Sequence, residues 1–408
     1  MGSGPQVPGE GIVRSPRGSP SRRTGIIAPR VPDLPHLPIA GAGPAGLTAA
    51  TLLARAGRRV VVHERNATVG ARFVGDLQVI EDASDPRETV PALFSRLGLP
   101  APAWVPATTA EFFDAKLRRF AVSSREPYAW FVTRGPGEGT LDTTLLAGAL
   151  AAGAEVRFRS RLEAKDADLV ATGPQTPDGL ARETAFESDG VTRVRVLFDP
   201  SVAPGGYAYL FTVGGRGTFG CAIVRDLGGI DRYFERAKAK LLSVESVPME
   251  GARDAYSFMN FALAPEASRE GRPAVGEAGA FQDYLFGLGM RYAISSGALA
   301  AEALLAGGDF AALARARFAR RQRVSVANRF LYEAGGAFGL SLFARLAAHA
   351  DFRSVLAGFY RPGALRLALA PIVTALWRNR GRCAHRLPEH WCRKREREIR
   401  EVALGRIG

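Results

Sequence analysis

The first regular pattern along the chain lies between residues 37 and 64 and reads LPIAGAGPAGLTAATLLARAGRRVVVHE. A short apolar run comes first, a glycine-rich turn follows, and apolar or small residues then recur at helical spacing. Gly57 ends the predicted helix, and VVVHE has the continuous apolar character of a strand that is buried on both faces. The segment therefore predicts a βαβ unit whose second strand ends at Glu64.

Strand patterns of another kind dominate the middle of the chain. Segments 191–198, 207–213 and 218–224 combine apolar runs with β-branched and aromatic residues. Because alternate residues of a strand point to one face, the three segments predict an antiparallel sheet with an aromatic face. The aromatic residues at alternate positions are Tyr207, Tyr209 and Phe211.

The charge distribution adds information about only two regions, the two ends of the chain. The net charge is +14, but residues 1–36 carry five arginines against two acidic residues, and residues 378–406 carry ten basic residues against four acidic ones. The first tail also lacks hydrophobic periodicity, so we predict that it is disordered. No nucleic-acid-binding signature accompanies either tail, and we expect no nucleic-acid partner. With only three cysteines, the chain suggests no disulfide framework and favours a cytoplasmic location.

The turn of the βαβ unit carries the spacing GxGxxG. The first glycine permits a tight turn, the second lets a pyrophosphate approach the backbone, and the third lets helix and strand pack closely. The helix N-terminus stabilises phosphate charge, and Glu64 is placed to accept hydrogen bonds from a ribose. The unit therefore predicts a dinucleotide site. Its turn consists of Gly41, Ala42, Gly43, Pro44, Ala45 and Gly46.

Two later segments indicate which dinucleotide binds. Residues 151–173 predict a helix end, a strand and a second apolar strand that ends in Ala-Thr-Gly, and residues 274–308 predict a small-residue turn before a long helix. Three dispersed segments in this order indicate one extended FAD, with its ribityl and isoalloxazine groups near the third. Further candidate contacts to the cofactor are Arg65, Arg72 and Arg134.

These segments resemble the FAD-dependent geranylgeranyl reductase family, within the flavoprotein group that includes para-hydroxybenzoate hydroxylase. Residues 276–290, GEAGAFQDYLFGLGM, are similar without a gap to the family's GDAAGFVDPLTGEGI. Tyr207, Phe211 and Gly220 match the family's substrate motif, YxWxFP followed by seven or eight residues and GxG. The resemblance spans roughly residues 37–305. The chain departs from the family pattern at Tyr209, Thr212, Ala222, Glu277 and Leu288.

The resemblance implies an α/β fold with a Rossmann-type FAD-binding domain, an antiparallel β-sheet substrate domain and a C-terminal helical region. It also implies cofactor contacts at Gly276, Glu277, Gly289 and Met290. The predicted boundaries are residues 1–36 for a basic tail, 37–75, 132–175 and 266–308 for a discontinuous FAD-binding domain, 76–131 and 176–265 for the substrate domain, 309–377 for a helical cap, and 378–408 for a second basic tail.

Tyr207, Tyr209 and Phe211 are then expected to line a slot for an apolar substrate, and either phenol is a candidate to orient the substrate or to donate a proton. The alternative is that the three residues simply pack a core. The resemblance implies an oxidoreductase that reduces a carbon-carbon double bond of an isoprenoid or other lipid, with NAD(P)H as a candidate external electron donor. Two other interpretations remain open: an FAD-dependent hydroxylase of an aromatic or polyketide substrate, and a degenerate flavoprotein that acts as a binding subunit.

Two features of the C-terminal region bear on partners. Residues 363–377 are apolar but too short to span a bilayer, and a basic run follows them. Residues 363–400 therefore predict peripheral contact with the inner face of a membrane, with a buried cap helix as the alternative. The spacings in CAHRLPEHWC fit no common zinc module, so we predict no metal site there. Its potential ligands are Cys383, His385, His390 and Cys392.

Overall fold

The computed structural model describes residues 36–174, 178–261 and 267–377. The predicted first tail, apart from residue 36, and the whole second tail lie outside the described residues, and so does the cluster Cys383, His385, His390 and Cys392.

The strands are β1 (Leu37–Ala40), β2 (Val60–His63), β3 (Leu77–Glu81), β4 (Val105–Ala107), β5 (Thr109–Asp114), β6 (Arg119–Ser123), β7 (Ala129–Thr133), β8 (Glu155–Arg157), β9 (Leu169–Val170), β10 (Gly179–Glu187), β11 (Arg193–Phe198), β12 (Tyr207–Val213), β13 (Arg216–Ile223), β14 (Glu250–Met259), β15 (Ser268–Arg269) and β16 (Arg272–Pro273). The helices are α1 (Pro44–Arg55), α2 (Val90–Leu97), α3 (Leu141–Ala151), α4 (Ile230–Leu242), α5 (Met290–Ala306), α6 (Phe310–Ala347), α7 (Phe352–Tyr360) and α8 (Ala364–Trp377).

The predicted βαβ unit forms the centre of a parallel sheet. Its strands run in the order β8-β2-β1-β9, and each neighbouring pair is parallel. Helix α1 begins at Pro44, where a fixed φ suits the first turn and the missing N–H leaves no hydrogen bond unmade. Residues of α1, α3 and α5 pack with this sheet in one apolar core. The Rossmann-type domain predicted from the sequence is confirmed.

A larger sheet carries the aromatic strand. Its order is β14-β10-β13-β12-β11-β5-β6, and all of its pairs are antiparallel except β11 with β5. One face packs against α4, and the other packs against α6 and α7. The predicted antiparallel arrangement of β11, β12 and β13 is confirmed. Because the side chains alternate, Tyr207, Tyr209 and Phe211 all belong to the face covered by α6 and α7.

Helix α2 packs elsewhere than the predicted boundaries suggest. Its buried residues Val90, Leu93 and Phe94 join the core of the parallel sheet, although the sequence pattern assigns residues 76–131 to the substrate domain. Strands β3, β7 and β4 form a separate three-stranded sheet. An apolar helix face at this spacing fits any apolar surface, so the local pattern does not specify its partner.

The C-terminal region is helical, as predicted. Helix α6 is interrupted at Gly336, whose φ of +50° is outside the helical range. Helix α8 buries Ala370 and Val373, and Trp377 at its end contacts Phe330 of α6 with 5.8 Å between ring centroids. Its opposite face is exposed. Among the described residues, no helix is both long enough and apolar enough to cross a membrane.

Candidate cofactor and substrate site

The turn between β1 and α1 requires glycine at two positions. Gly41 has a φ of +103°, and a Cβ there would lie 2.4 Å from the carbonyl oxygen of Ala171 in the second predicted segment. A Cβ on Gly46 would lie 2.1 Å from the carbonyl oxygen of Gly41. Side chains at these two positions would separate the turn from the neighbouring strand and helix. The structure therefore brings the first two predicted segments into direct contact.

Gly43 differs from both of its neighbours in the motif. Its backbone is extended, and apart from the adjoining residues of the chain no described protein atom lies within 4 Å of the position that a Cβ would take. The N-terminus of α1 begins at the next residue, so free backbone N–H groups face the same open space. Glu64 lies beside this turn, because its carboxylate accepts a hydrogen bond of 3.0 Å from the N–H of Ala42. The arrangement leaves room for an anionic group where the motif predicts a pyrophosphate.

The third predicted segment lies next to the first. A 3₁₀ turn, Gly276–Gly279, places Gly276 so close to α1 that an added Cβ would lie 3.2 Å from the Ala45 Cβ. Glu277 follows, with its carboxylate 3.9 Å from the guanidinium of Arg72. The Arg72 side chain is 44% exposed, and the space bordered by Arg72, Glu277 and the β1–α1 turn is called the cleft below. Burial raises the pKa of Glu277 to about 7, against the opposing effect of the Arg72 and Arg134 charges.

The entrance to α5 completes this side of the cleft. Met290 is the first residue of α5 and packs against the core of the parallel sheet, and Gly289 precedes it. An added Cβ on Gly289 would lie 3.3 Å from Oε1 of Gln282 and 3.9 Å from Glu277. Gln282 is fully buried, yet neither polar atom of its side chain has a hydrogen-bond partner within the described residues. A buried amide without partners is costly, and a ligand in the cleft could satisfy it.

The three candidate arginines have different surroundings. Arg134 is buried and donates two hydrogen bonds, of 2.8 and 2.9 Å, to the carboxylate of Asp142 at the start of α3. Because this ion pair occupies the guanidinium of Arg134, the residue is not free to bind a cofactor. The guanidinium nevertheless lies near the cleft, over the ring of Phe73. Arg65 is exposed beside Glu64. Of the three, Arg72 has the charge that is open to the cleft.

The aromatic strand packs beneath the C-terminal helices α6 and α7. Tyr207 is partly exposed, and its hydroxyl donates a hydrogen bond of 2.7 Å to the carbonyl oxygen of Phe286. Tyr209 and Phe211 are buried and stacked, with ring centroids 4.8 Å apart. Phe211 also contacts Phe131 of the small sheet at 5.1 Å. The strand thus has a buried half and, at Tyr207, an accessible end.

The sequence analysis missed a buried acid beside this strand. The hydroxyl of Tyr209 donates a hydrogen bond to Oε1 of Glu183, which is 3% exposed on β10. Burial and the nearby Asp76 charge raise the pKa of Glu183 to about 8, while the hydrogen bond from Tyr209 and the charges of Arg72 and Arg134 oppose the shift. Only the pairing of the strands reveals this contact, because an isolated acidic residue in an apolar strand does not show in the sequence which residues it will contact.

An apolar cavity of about 240 Å³ opens between α6, α7 and residues 285–286 of the third predicted segment. Phe286 lines this cavity, and its ring lies 5.8 Å from that of Tyr207. Asn328 is a polar residue of the lining, and its buried Oδ1 lacks a hydrogen-bond partner within the described residues. The remaining lining residues are Leu285, Leu331, Tyr332, Gly339, Leu340, Leu342, Phe343, Leu346, Leu356 and Phe359.

The comparisons with known proteins agree with this geometry. Residues 39–75 match the family model of an NAD(P)-binding Rossmann-like domain. A geranylgeranyl bacteriochlorophyll reductase-like protein from Thermoplasma acidophilum shares the fold with a TM-score of 0.61 and 14% identity, over 84% of this chain and 98% of that one. A triple mutant of the flavin-dependent brominase Bmp2 aligns with a TM-score of 0.57 and 15% identity, over 84% and 98%.

The FAD-dependent chondrochloren halogenase CndH, from a myxobacterium, aligns with a TM-score of 0.52 and 18% identity, over 84% of this chain and 97% of that one. The chain has the fold of these flavoproteins. A search among curated protein sequences gave no match. The predicted resemblance to the geranylgeranyl reductase fold is confirmed, but at such identities a shared fold does not specify the reaction.

Proposed function

We propose that this protein is an FAD-dependent oxidoreductase that reduces a carbon-carbon double bond of an isoprenoid or other lipid-like substrate. One observation carries the proposal. The accessible end of the aromatic strand, Tyr207, donates a hydrogen bond to Phe286, and Phe286 lines a cavity with an almost wholly apolar lining. An apolar chain in that cavity would lie against Phe286 and so beside Tyr207.

The residues of the cleft fit FAD. The open space at Gly43 suits the pyrophosphate, and Glu64 suits the adenosine ribose. Glu277, the buried amide of Gln282 and the charge of Arg72 suit the hydroxyl-rich ribityl chain and the phosphates. Glu277 is one methylene longer than the aspartate of the resembling family, and it lies at the same place in the turn. Bound flavin supplies hydride chemistry, and the protein supplies position and a dry surrounding.

The apolar cavity sets the substrate class. Its volume of about 240 Å³ accommodates part of a chain, and its lining offers few hydrogen-bond partners to a polar substrate. Asn328 provides one buried acceptor for a hydroxyl or similar donor along that chain. The reductase-like neighbour from Thermoplasma acidophilum supports the prenyl interpretation, because its name refers to a geranylgeranyl group.

We also propose peripheral membrane contact, as the apolar helix and basic run of residues 363–400 predict. The outer face of α8 exposes Leu365, Ile372 and Leu376 at 80%, 58% and 67%. Near the cavity, α6 exposes Phe338 and Leu346 at 82% and 59%. Exposed apolar side chains on neighbouring helices, next to basic sequence, suit an anionic lipid surface. A lipid substrate would then enter from the membrane.

A purified preparation tests the proposal directly. We expect a flavin absorption spectrum, release of FAD on denaturation and, after anaerobic reduction with dithionite, conversion of geranylgeraniol in detergent micelles to products that have gained hydrogen. Colourless protein that does not take up added FAD would refute the cofactor assignment.

An oxygen-dependent reaction is the second candidate, because two of the neighbours are halogenases. It predicts that the reduced protein consumes oxygen faster when an aromatic substrate is added and leaves geranylgeraniol unchanged. FAD binding without either reaction, over a panel of prenyl and aromatic compounds, would favour a binding subunit. An external donor is identified in the same preparation by whether NADH or NADPH replaces dithionite.

A further inference from the structure

We infer that the apolar cavity binds its ligand as an unionised alcohol, with the hydroxyl group at Asn328 and the apolar chain directed to the mouth of the cavity. This inference rests on the proposed lipid substrate and narrows it, because it separates free prenyl alcohols from prenyl diphosphates and carboxylates. Asn328 then determines the specificity of the cavity.

The cavity lining contains two polar side chains, Asn328 and Tyr332, both on α6. Tyr332 donates its hydroxyl hydrogen to the carbonyl oxygen of Gly206 at 2.6 Å. The amide of Asn328 is oriented by a hydrogen bond of 2.8 Å from Nδ2 to the carbonyl oxygen of Phe359 on α7. This contact identifies the other amide atom, Oδ1, as an acceptor, and Oδ1 is buried without a hydrogen-bond partner in the described part of the chain.

The mouth of the cavity is marked by lining residues that are also exposed. Leu331 and Leu342 are each 46% exposed, and Leu346 is 59% exposed. Asn328 and Leu285, in contrast, are buried at 2% and 5% and belong to the inner wall. A ligand that enters between the exposed leucines therefore reaches Asn328 with its inner end, and its apolar chain remains against the leucines.

The chemistry of the unpaired atom sets the head group. An amide oxygen accepts a hydrogen bond and cannot donate one, so its partner must carry a hydrogen. The O–H of an alcohol supplies that donor, and it satisfies a carbonyl oxygen whose burial without a partner is unfavourable. A carboxylate or an ionised diphosphate presents acceptors instead and would bring negative charge beside this oxygen.

The charges around the cavity also favour a neutral head group. None of the described lining residues is charged. Arg329 follows Asn328 in the chain, but its guanidinium pairs with Glu333 at 2.9 Å and donates to the carbonyl oxygens of Gly205 and Leu285. Its charge is thus compensated within the protein. A buried anion requires a charged partner, and the lining does not provide one.

Competition binding tests the inference without any turnover. Full-length protein is equilibrated with tritiated geranylgeraniol below its micelle concentration, and unlabelled geranylgeraniol, its methyl ether and geranylgeranyl diphosphate are added as competitors. We expect the alcohol to compete about 10-fold more strongly than the ether, because the ether leaves Oδ1 without a donor. The diphosphate should be weaker than the alcohol by at least about 10-fold. Equal competition by the ether, or stronger competition by the diphosphate, would overturn the inference.

Two variants assign the preference to the side chain. Asn328→Leu has a similar branched shape and no acceptor, so the alcohol and the ether should compete equally. The matched control is Leu331→Ala at the mouth, which should weaken both competitors by a similar factor and keep the preference. A 10-fold preference retained in folded Asn328→Leu would overturn the inference. If the loss of the bond to Phe359 prevents Asn328→Leu from folding, Asn328→Ala, which favours the helix and adds no volume, gives the same comparison.

The outcomes separate the inference from the proposed function. Selective binding of geranylgeraniol by protein that binds no flavin, or that reduces no alkene, refutes the proposed function and supports the inference. Flavin-loaded protein that reduces geranylgeranyl diphosphate and neither binds nor reduces geranylgeraniol supports the proposed function and overturns the inference.

Discussion

Replacing Gly43 by valine separates cofactor binding from folding more sharply than any other change in the turn. The backbone of Gly43 is extended and the Cβ position is free of protein atoms, so the fold accommodates the new side chain. Gly43 is the N-cap of α1, and a valine there costs about 1 kcal/mol in helix capping. The same side chain would occupy the space proposed for the pyrophosphate. We expect the affinity for FAD to fall at least 100-fold, which corresponds to ~2.7 kcal/mol.

Gly46→Ala is the matched comparison in the same motif. Its methyl group would lie 2.1 Å from the Gly41 carbonyl oxygen and 3.1 Å from the Ala171 Cβ. Relief of this overlap requires α1 to move away from the sheet, at a cost of about 3 kcal/mol, the upper end of the usual range for overpacking. The two variants should therefore show different defects, because Gly43→Val loses affinity for the cofactor and Gly46→Ala loses stability.

Urea denaturation of the apoproteins, followed by circular dichroism, measures the free energies of unfolding, and FAD titration measures affinity. Stoichiometric FAD in purified Gly43→Val would refute the assignment of this turn to the pyrophosphate. A Gly43→Val apoprotein less stable than Gly46→Ala would refute the packing argument.

Three further predictions concern the sheet, the acidic turn and the helical surface. Gly220→Ala should destabilise the protein by roughly 1–3 kcal/mol, because the new methyl group meets the Tyr209 ring, and thermal melting beside a Gly358→Ala control in α7, where an added Cβ meets nothing within 4 Å, checks it. The pKa of Glu277, at about 7, lies above its ordinary 4.5, so the folded state holds more protons. Stability from this group should be present below about pH 4.5 and lost as the pH rises through about 7, up to ~3 kcal/mol, and the slope should flatten in Glu277→Gln. A charge at Ile372, as in Ile372→Glu, should weaken flotation with anionic liposomes, whereas Val191→Glu, at an exposed position in the turn before β11, should not; equal flotation of the two variants would contradict the membrane proposal.

The sequence alone predicted the elements whose causes are local. The glycine spacing at Gly41, Gly43 and Gly46 is explained by the local sequence, because turn geometry, phosphate approach and helix packing act within a few residues. The alternation of Tyr207, Tyr209 and Phe211 predicted one shared face, and the structure has it. These patterns determined the Rossmann-type unit, the antiparallel strands and the helical C-terminal region.

Other features depend on contacts between distant segments. Arg134 is a candidate cofactor contact by its position in the sequence, but the start of α3 brings Asp142 beside it and commits its charge to an ion pair. Helix α2 has an apolar face that the sequence shows, and only packing placed that face on the parallel sheet. Periodicity reports which side of an element is apolar, and it does not report which surface covers that side.

Glu183 shows most clearly the difference between features that the local sequence predicts and features that depend on contacts between distant segments. The sequence predicted the aromatic strand but not β10, and Glu183 is 26 positions from Tyr209 in the chain with a third strand between them. The register of both pairings, and the absence of a side chain at Gly220, bring the phenol and the carboxyl group together. Burial and the nearby charge of Asp76 then raise the pKa of the acid. The sequence determined the aromatic strand, and the tertiary structure decided its pairing with Glu183 and the protonation of that acid, because both depend on surroundings assembled from distant parts of the chain.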